Sequence, residues 1–161
     1  IHLADGGDAD LVHCTVADRW GYTFRSVPAV YIEKGDGTTL PAVNVRNSVI
    51  AGDRTNEIDI ETTPAELPGK IYFDSSFVQT DTLQTTWWNR AAFKGVLISN
   101  KPGFINWNEY DFRPDTLSVL QDRAGKNTAR AYPSDIRNRP RPAFNGPDIG
   151  AYERQPGEKS H

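Results

Sequence analysis

Three side chains that could take part in catalysis stand at matching places in three β-rich runs of the sequence. The runs are residues 12–16, 45–49 and 73–77. Their second positions hold His13, Arg46 and Asp74. If the runs stack in register, these side chains form one outward column, in which His13 could act as a base and Arg46 could clamp a carboxylate. A solvated ladder of complementary charges explains the same column without catalysis, and it is the interpretation that we favour.

The elements that must position this column resemble the repeats of a solenoid. Each run begins and ends with an apolar residue, and a hydroxyl follows its central residue. The runs start 33 and 28 residues apart, a spacing typical of stacked repeats. Stacking predicts two inward apolar columns, namely Val12, Val45 and Phe73, and Val16, Val49 and Phe77. Cys14, Asn47 and Ser75 are expected to lie between these columns, also facing inward.

Aromatic residues dominate the sequence after the repeat fades near residue 80. A solenoid must cover the core of its last coil, so this stretch predicts a cap. We therefore expect residues 1–86 to form the last coils, residues 87–153 an irregular cap of the same domain, and residues 154–161 a flexible tail. Trp87, Trp88 and Trp107 could stack on sugar rings, although plugging the open end is the favoured interpretation.

Composition excludes several classes of function. The 161 residues suit one domain, and 18 basic against 21 acidic residues, a net charge of −3, provide no basic field for nucleic acid. No apolar run has the length of a membrane span. Cys14, which is the single cysteine of the sequence, cannot form an internal disulfide and suits a small buried position. The sequence has no Met, so we expect it to be a piece of a longer precursor.

One acidic, glycine-rich segment resembles a calcium-binding loop. It runs from Asp5 to Asp10, with Gly6, Gly7 and Asp8 inside it. It lacks the spacing of an EF-hand and the repeat of a calcium β-roll, so a plain turn between coils is the favoured interpretation. We therefore expect no cofactor, and calcium is the alternative.

The most specific pattern is Pro147-Asp148-Ile149-Gly150-Ala151-Tyr152-Glu153. It closely resembles the Asp-Ile-Gly-Ala-Tyr-Glu ending of many exported bacterial parallel β-helix proteins, including the choice-of-anchor Q domain type, within the pectate-lyase-like superfamily. Residues 47–53, 118–125 and 135–142 are similar to further elements of that family, with Val119 where Pro is usual and Asn138 where Gly is usual. The resemblance spans about residues 10–153. It implies an all-β, right-handed parallel β-helix with a C-terminal cap, located outside the cell or on the bacterial cell surface.

The resemblance leaves the function open, since this fold carries many activities. We favour a segment without a complete active site, which binds a polysaccharide or surface glycan or gives structural support. One alternative is part of a polysaccharide lyase or glycoside hydrolase whose catalytic residues lie mostly upstream. The other is an assembly module, in which the open first coil around Val12, Val16 and Val30 meets another protein chain or the missing N-terminal part.

Overall fold

The computed structural model describes residues 1–83 and 85–158, and short strands make up most of its regular structure. Runs rich in Val, Ile, Phe and Tyr form the strands, and Gly, Pro, Asn and Asp separate them. The strands are β1 His2–Leu3, β2 Asp8–Val12, β3 Thr15–Asp18, β4 Val30–Ile32, β5 Ala42–Arg46, β6 Val49–Gly52, β7 Ile58–Ile60, β8 Ile71–Asp74, β9 Phe77–Val78, β10 Phe93–Lys94, β11 Leu97–Ile98, β12 Phe104–Asn106 and β13 Asp111–Pro114. A 3-10 helix spans Trp107–Glu109, and a single-turn helix, α1, spans Lys126–Ala129.

Eleven of the strands form three parallel sheets. Sheet A has the order β1-β4-β7, sheet B β10-β8-β5-β2, and sheet C β11-β9-β6-β3. The chain visits A, B and C in turn three times and then returns to B and C. Strands β12 and β13 pair antiparallel with each other. The expected all-β class is therefore confirmed, with parallel pairing throughout sheets A to C.

A left-handed residue marks each passage from sheet B to sheet C. His13, Asn47, Ser75 and Gly95 have φ values of 49°, 52°, 47° and 61°. The first three donate their backbone N–H groups, each at 3.0 Å, to the carbonyls of Arg46, Asp74 and Lys94. A single left-handed residue turns the chain sharply, and Asn and Gly adopt this conformation at low cost. We call these four positions the corner column. They are equivalent positions, so they define how the repeats align with one another.

This alignment of the repeats shows that the predicted register of the first run is wrong. Val45 pairs with Phe73 as expected, but its partner on the other side is Leu11 rather than Val12. Val49 likewise pairs with Phe77 and with Thr15. The first repeat therefore begins one residue earlier than predicted, because His13 occupies the corner. A fourth copy, residues 93–98, extends sheets B and C beyond the expected limit at residue 86.

Two hydrophobic clusters hold these sheets together. The larger lies among sheets A, B and C and includes Val45, Ile50, Phe73 and Val78. The smaller joins sheet C to the cap, and it consists of Val49, Ala51, Phe77, Leu120, Ala124 and Ile149. The column of Val49 and Phe77 therefore packs against the cap rather than into the main core. Their neighbours Ile50 and Val78 are the residues that point inward, because successive strand residues face opposite ways.

The cap is built around buried charged side chains. Asp148 accepts hydrogen bonds from the backbone N–H groups of Asp122 at 2.9 Å and Arg154 at 2.8 Å. Glu153 accepts from the Arg141 guanidinium at 3.2 Å. Buried charges need such partners, which explains their place in an otherwise irregular segment. Arg154 is buried at the start of the expected flexible tail, and residues 159–161 lie outside the described part of the chain.

Candidate functional site

His13, the expected base, is buried beneath the C-terminal segment. Its Nε2 lies 3.0 Å from the Asn47 amide nitrogen, and its Nδ1 lies 3.3 Å from the Gly150 carbonyl oxygen. Because the Asn47 amide N–H can only donate, Nε2 of His13 must accept and carries no proton. The imidazole proton therefore lies on Nδ1, which donates to the Gly150 carbonyl oxygen. Burial and the positive charge of Arg141 lower the pKa of His13 to about 4. Both ring nitrogens are thus engaged, and His13 acts as a packing residue at the corner.

Arg46 and Asp74 lie side by side on the outer face of sheet B, where they are register partners. Arg46 Nη2 is 3.5 Å from Asp10 Oδ1, and Asp74 pairs in register with Lys94. Alternating charges of this kind form the solvated ladder that we favoured over a catalytic column. His13 belongs to the corner column instead, so the structure does not bring the three candidates together.

Trp87 and Trp88 close the end of the main core. Trp87 is 1% exposed, and its indole N–H donates to Asp59 at 3.0 Å. The Trp88 ring stacks on Phe93 with 4.4 Å between centroids, and Phe93 stacks on Phe73 at 4.7 Å. A buried indole cannot stack on a sugar, so the assignment of Trp87 to a glycan site is corrected to a core position. Trp88 contributes to the same aromatic plug.

Trp107 occupies a different environment at one edge of sheet C. Residues that directly follow parallel strands meet at the same sheet edge, and here Arg19 follows β3 and Asp53 follows β6. Gln79 follows β9 at the same edge. Trp107 stacks on Phe104 at 5.4 Å with nearly parallel planes. The two rings line a cavity of about 310 Å³, the aromatic cleft, whose lining is Gly52, Gln79, Asn100, Lys101, Pro102, Gly103, Phe104 and Trp107.

Asp53 connects the aromatic cleft to the loop that follows β3. Its Oδ1 accepts from Arg19 at 3.0 Å and, more weakly, from the Trp107 indole at 3.4 Å. Its Oδ2 accepts from the Trp20 backbone N–H at 2.6 Å. Burial opposes the charged form, but these hydrogen bonds outweigh it and lower the pKa of Asp53. The ionised carboxylate therefore fixes Trp20 and Trp107 beside the same strand end.

Three aromatic side chains on this loop are exposed and were missed by the sequence reasoning. Trp20, Tyr22 and Phe24, here called the aromatic loop, are 52%, 88% and 97% exposed. The Trp20 indole donates to Thr23 Oγ1 at 2.9 Å, and its ring meets Tyr22 edge-on at 6.2 Å. The available signal was the presence of three aromatic residues within five positions of a segment that is interrupted by Gly21 and Thr23. Exposed apolar area of this kind is typical of binding surfaces.

The described residues provide no evident metal centre. Within residues 1–83 and 85–158, no three His, Cys, Asp or Glu side chains are grouped so that they could hold a metal ion. The expected absence of a cofactor, with calcium as its alternative, stays a prediction. In the acidic segment, Asp5 instead accepts the Gly37 N–H at 3.2 Å. None of the helices in these same ranges has the length and apolar character for crossing a membrane. Comparison with known proteins finds no matching family, no matching curated protein and no matching solved structure.

Proposed function

We propose that this chain is the C-terminal part of a right-handed parallel β-helix in an exported, cell-surface protein. In this proposal it binds a surface glycan at the aromatic cleft and the aromatic loop. The observation that carries glycan binding is the meeting of Trp20 and Trp107 at Asp53, on one edge of sheet C. The resemblance of residues 147–153 to the ending of exported β-helix proteins supports the location.

The β-helix part of the proposal is supported by the order in which the chain visits its sheets. Each of the three successive visits to A, B and C corresponds to one coil in this proposal, and the corner column repeats at the same place in each visit. Serine side chains link the coils beside it. Ser76 Oγ accepts from the Ser48 N–H at 3.1 Å, and Ser48 Oγ accepts from the Cys14 N–H at 3.0 Å. A stack of equivalent coils accounts for such a ladder.

The glycan part is supported by the chemistry of the sheet edge. Apolar faces of sugar rings suit aromatic faces, and sugar hydroxyls need nearby donors and acceptors. The aromatic cleft combines the Trp107–Phe104 stack with the exposed side chains of Asn100 and Lys101. We favour binding over catalysis for this chain because His13 is buried with both nitrogens engaged.

The test measures binding of neutral oligosaccharides to the purified chain. A glycan array identifies the ligand, and titration calorimetry compares the wild type with Trp107→Ala and Trp20→Ala. Loss of a stacked ring is expected to weaken binding about tenfold for each variant. Tyr132→Ala is the matched control, because Tyr132 is an exposed aromatic residue outside the aromatic cleft. Unchanged affinity in both Trp variants, with folding retained, would contradict the assignment. An array on which no neutral oligosaccharide binds would contradict glycan binding at the aromatic cleft.

The assembly alternative is favoured by one further observation. Strands β1, β2 and β3 are the outer strands of sheets A, B and C, and their residues Leu3, Leu11 and Val16 are only partly buried against the main core. Outer strands with apolar neighbours are suited to pairing with another coil. Sedimentation of the chain at increasing concentration tests this alternative, and a Leu11→Lys variant should reduce any association.

A further inference from the structure

We infer that the cap carries a second site, which binds the anionic group of an acidic sugar. This inference rests on the proposed glycan binding and adds a ligand class to it. The site is a cavity of about 410 Å³ lined by helix α1 and by residues 133, 141, 142, 145 and 147. Its volume lies in the range of small-molecule sites. Its charged lining residues are Lys126, Arg130 and Arg141, and no acidic residue lines it.

The positive charge of this cavity stands out in a chain with a net charge of −3. Lys126 is the first residue of α1 and Arg130 caps its C-terminal end four residues later, so their side chains share one face and repel each other. None of the salt bridges found among the described residues includes Lys126 or Arg130. An anion bound between them would relieve this repulsion, which is the physical reason to expect one there.

Arg141 lines the cavity, but its charge is balanced by Glu153 at 3.2 Å, so the net positive charge comes from Lys126 and Arg130. Its guanidinium is buried and already donates to Glu153 and to the carbonyls of Gly150 at 3.1 Å and Ala151 at 2.9 Å. The contact groups are therefore the exposed side chains of Lys126 and Arg130. The exposed Asn145 amide, which also lines the cavity, can donate to a carboxylate or sulfate oxygen.

The far wall of the cavity is held in place by two carboxylates of the cap, one buried and one half-buried. Glu153 accepts the Ala143 N–H at 2.9 Å, and Asp122 accepts the Gly146 N–H at 2.7 Å. The Pro147 carbonyl accepts the Ala124 N–H at 2.9 Å. A wall fixed before binding lowers the entropic cost of capturing a ligand. Three proline rings on this lining offer an apolar surface to the body of a sugar.

The experiment compares charged and uncharged forms of one sugar by titration calorimetry. The probes are a galacturonate trisaccharide, its full methyl ester and a sulfated galactose trisaccharide. We expect at least one charged probe to bind ten times more tightly than the ester, and the tighter of the two identifies the anion. Lys126→Ala/Arg130→Ala should remove this preference while keeping α1, because Ala favours helix. Lys70→Ala/Arg90→Ala is the control: both residues are exposed and outside the cavity, and the charge change is the same.

The outcomes separate this inference from the proposed function. Equal binding of the charged probes and the ester would overturn the anion site, as would a double variant that binds the charged probes like the wild type. In either case glycan binding at the aromatic cleft would stand if Trp107→Ala still weakened a neutral ligand. The converse result is also possible. If Lys126→Ala/Arg130→Ala loses the preference for charged probes, the control variant keeps it and no neutral ligand is found on the array, the anion site would be supported and glycan binding at the aromatic cleft would be contradicted.

Discussion

Asn47 and Gly125 exchange two hydrogen bonds, although 78 residues separate them. The Gly125 N–H donates to Asn47 Oδ1 at 2.7 Å, and the Asn47 amide donates to the Gly125 carbonyl at 3.0 Å. The Asn47 side chain thus gives the irregular segment at Gly125 the two backbone hydrogen bonds that a neighbouring strand would otherwise provide. Because Asn47 also stands in the corner column, the same residue turns the chain between sheets and fastens the cap.

We expect Asn47→Ala to lower the free energy of unfolding by about 3 kcal/mol. The variant leaves the backbone groups of Gly125 without their hydrogen-bond partner, and it places Ala in a left-handed conformation. Urea denaturation measures this change. Asn138→Ala is the matched control, since Asn138 has φ of 59° but is exposed. It should cost about 1 kcal/mol from backbone strain alone. Equal losses in the two variants would mean that the link to Gly125 adds no stability.

The lowered pKa of His13 should make the stability of the chain depend on pH. The pKa of His13 is lowered to about 4 in the folded chain, whereas an unfolded histidine has a value near 6.5. Below pH 6.5 the unfolded state therefore binds more protons, and stability falls as pH decreases. Relative to His13→Asn, the wild type should lose about 3 kcal/mol between pH 7.5 and pH 4. Urea unfolding of both proteins across this range measures the difference, and Asn is chosen because it tolerates the left-handed backbone.

A second buried group acts in the opposite direction. Burial raises the pKa of Glu153 to about 6, so its contribution to stability is present at low pH and is lost as pH rises through that value. Both proteins contain Glu153, and its effect cancels in the comparison. A difference between wild type and His13→Asn that stays constant from pH 7.5 to pH 4 would show that His13 is not held neutral.

The effect of Trp87 on stability tests whether this residue packs in the core. Trp87→Ala should lower the free energy of unfolding by about 3–5 kcal/mol, because it opens a cavity in the main core and leaves Asp59 without the indole N–H. Trp20→Ala, at an exposed position, should cost about 0.5 kcal/mol or less. Thermal and urea unfolding compare the two variants. A small loss for Trp87→Ala would contradict its role in closing the core.

The sequence was sufficient for the strand class and for part of the repeat. The pairing of Val45 with Phe73 followed from alternating apolar residues, which is a local property of strands. The first run was placed one residue too late because its corner residue is His13, which does not signal a left-handed turn as Asn does. The fourth copy was not predicted because Val96 stands where the other three copies have a hydroxyl residue.

The candidate site was harder to predict, because an exposed aromatic residue and a core aromatic residue look alike in a sequence. Trp87 lies in the core, whereas Trp107 lies at the sheet edge. What distinguishes them is the partner of each indole N–H, Asp59 or Asp53, and these contacts join residues 28 and 54 positions apart. Such long-range pairing depends on the register of the sheets, which composition does not encode.

The contact between His13 and Gly150 joins residues 137 positions apart, and Ala151 also donates to Thr15 at 3.0 Å. These contacts join the first corner residue and its neighbour to residues 150 and 151, near the other end of the described residues. Closing so long a loop is slow relative to local strand pairing, and it becomes possible only when nearly the whole chain is present. We therefore expect the parallel sheets to form first, and the corner residues His13 and Asn47 to stay open to water until Gly150 packs against them.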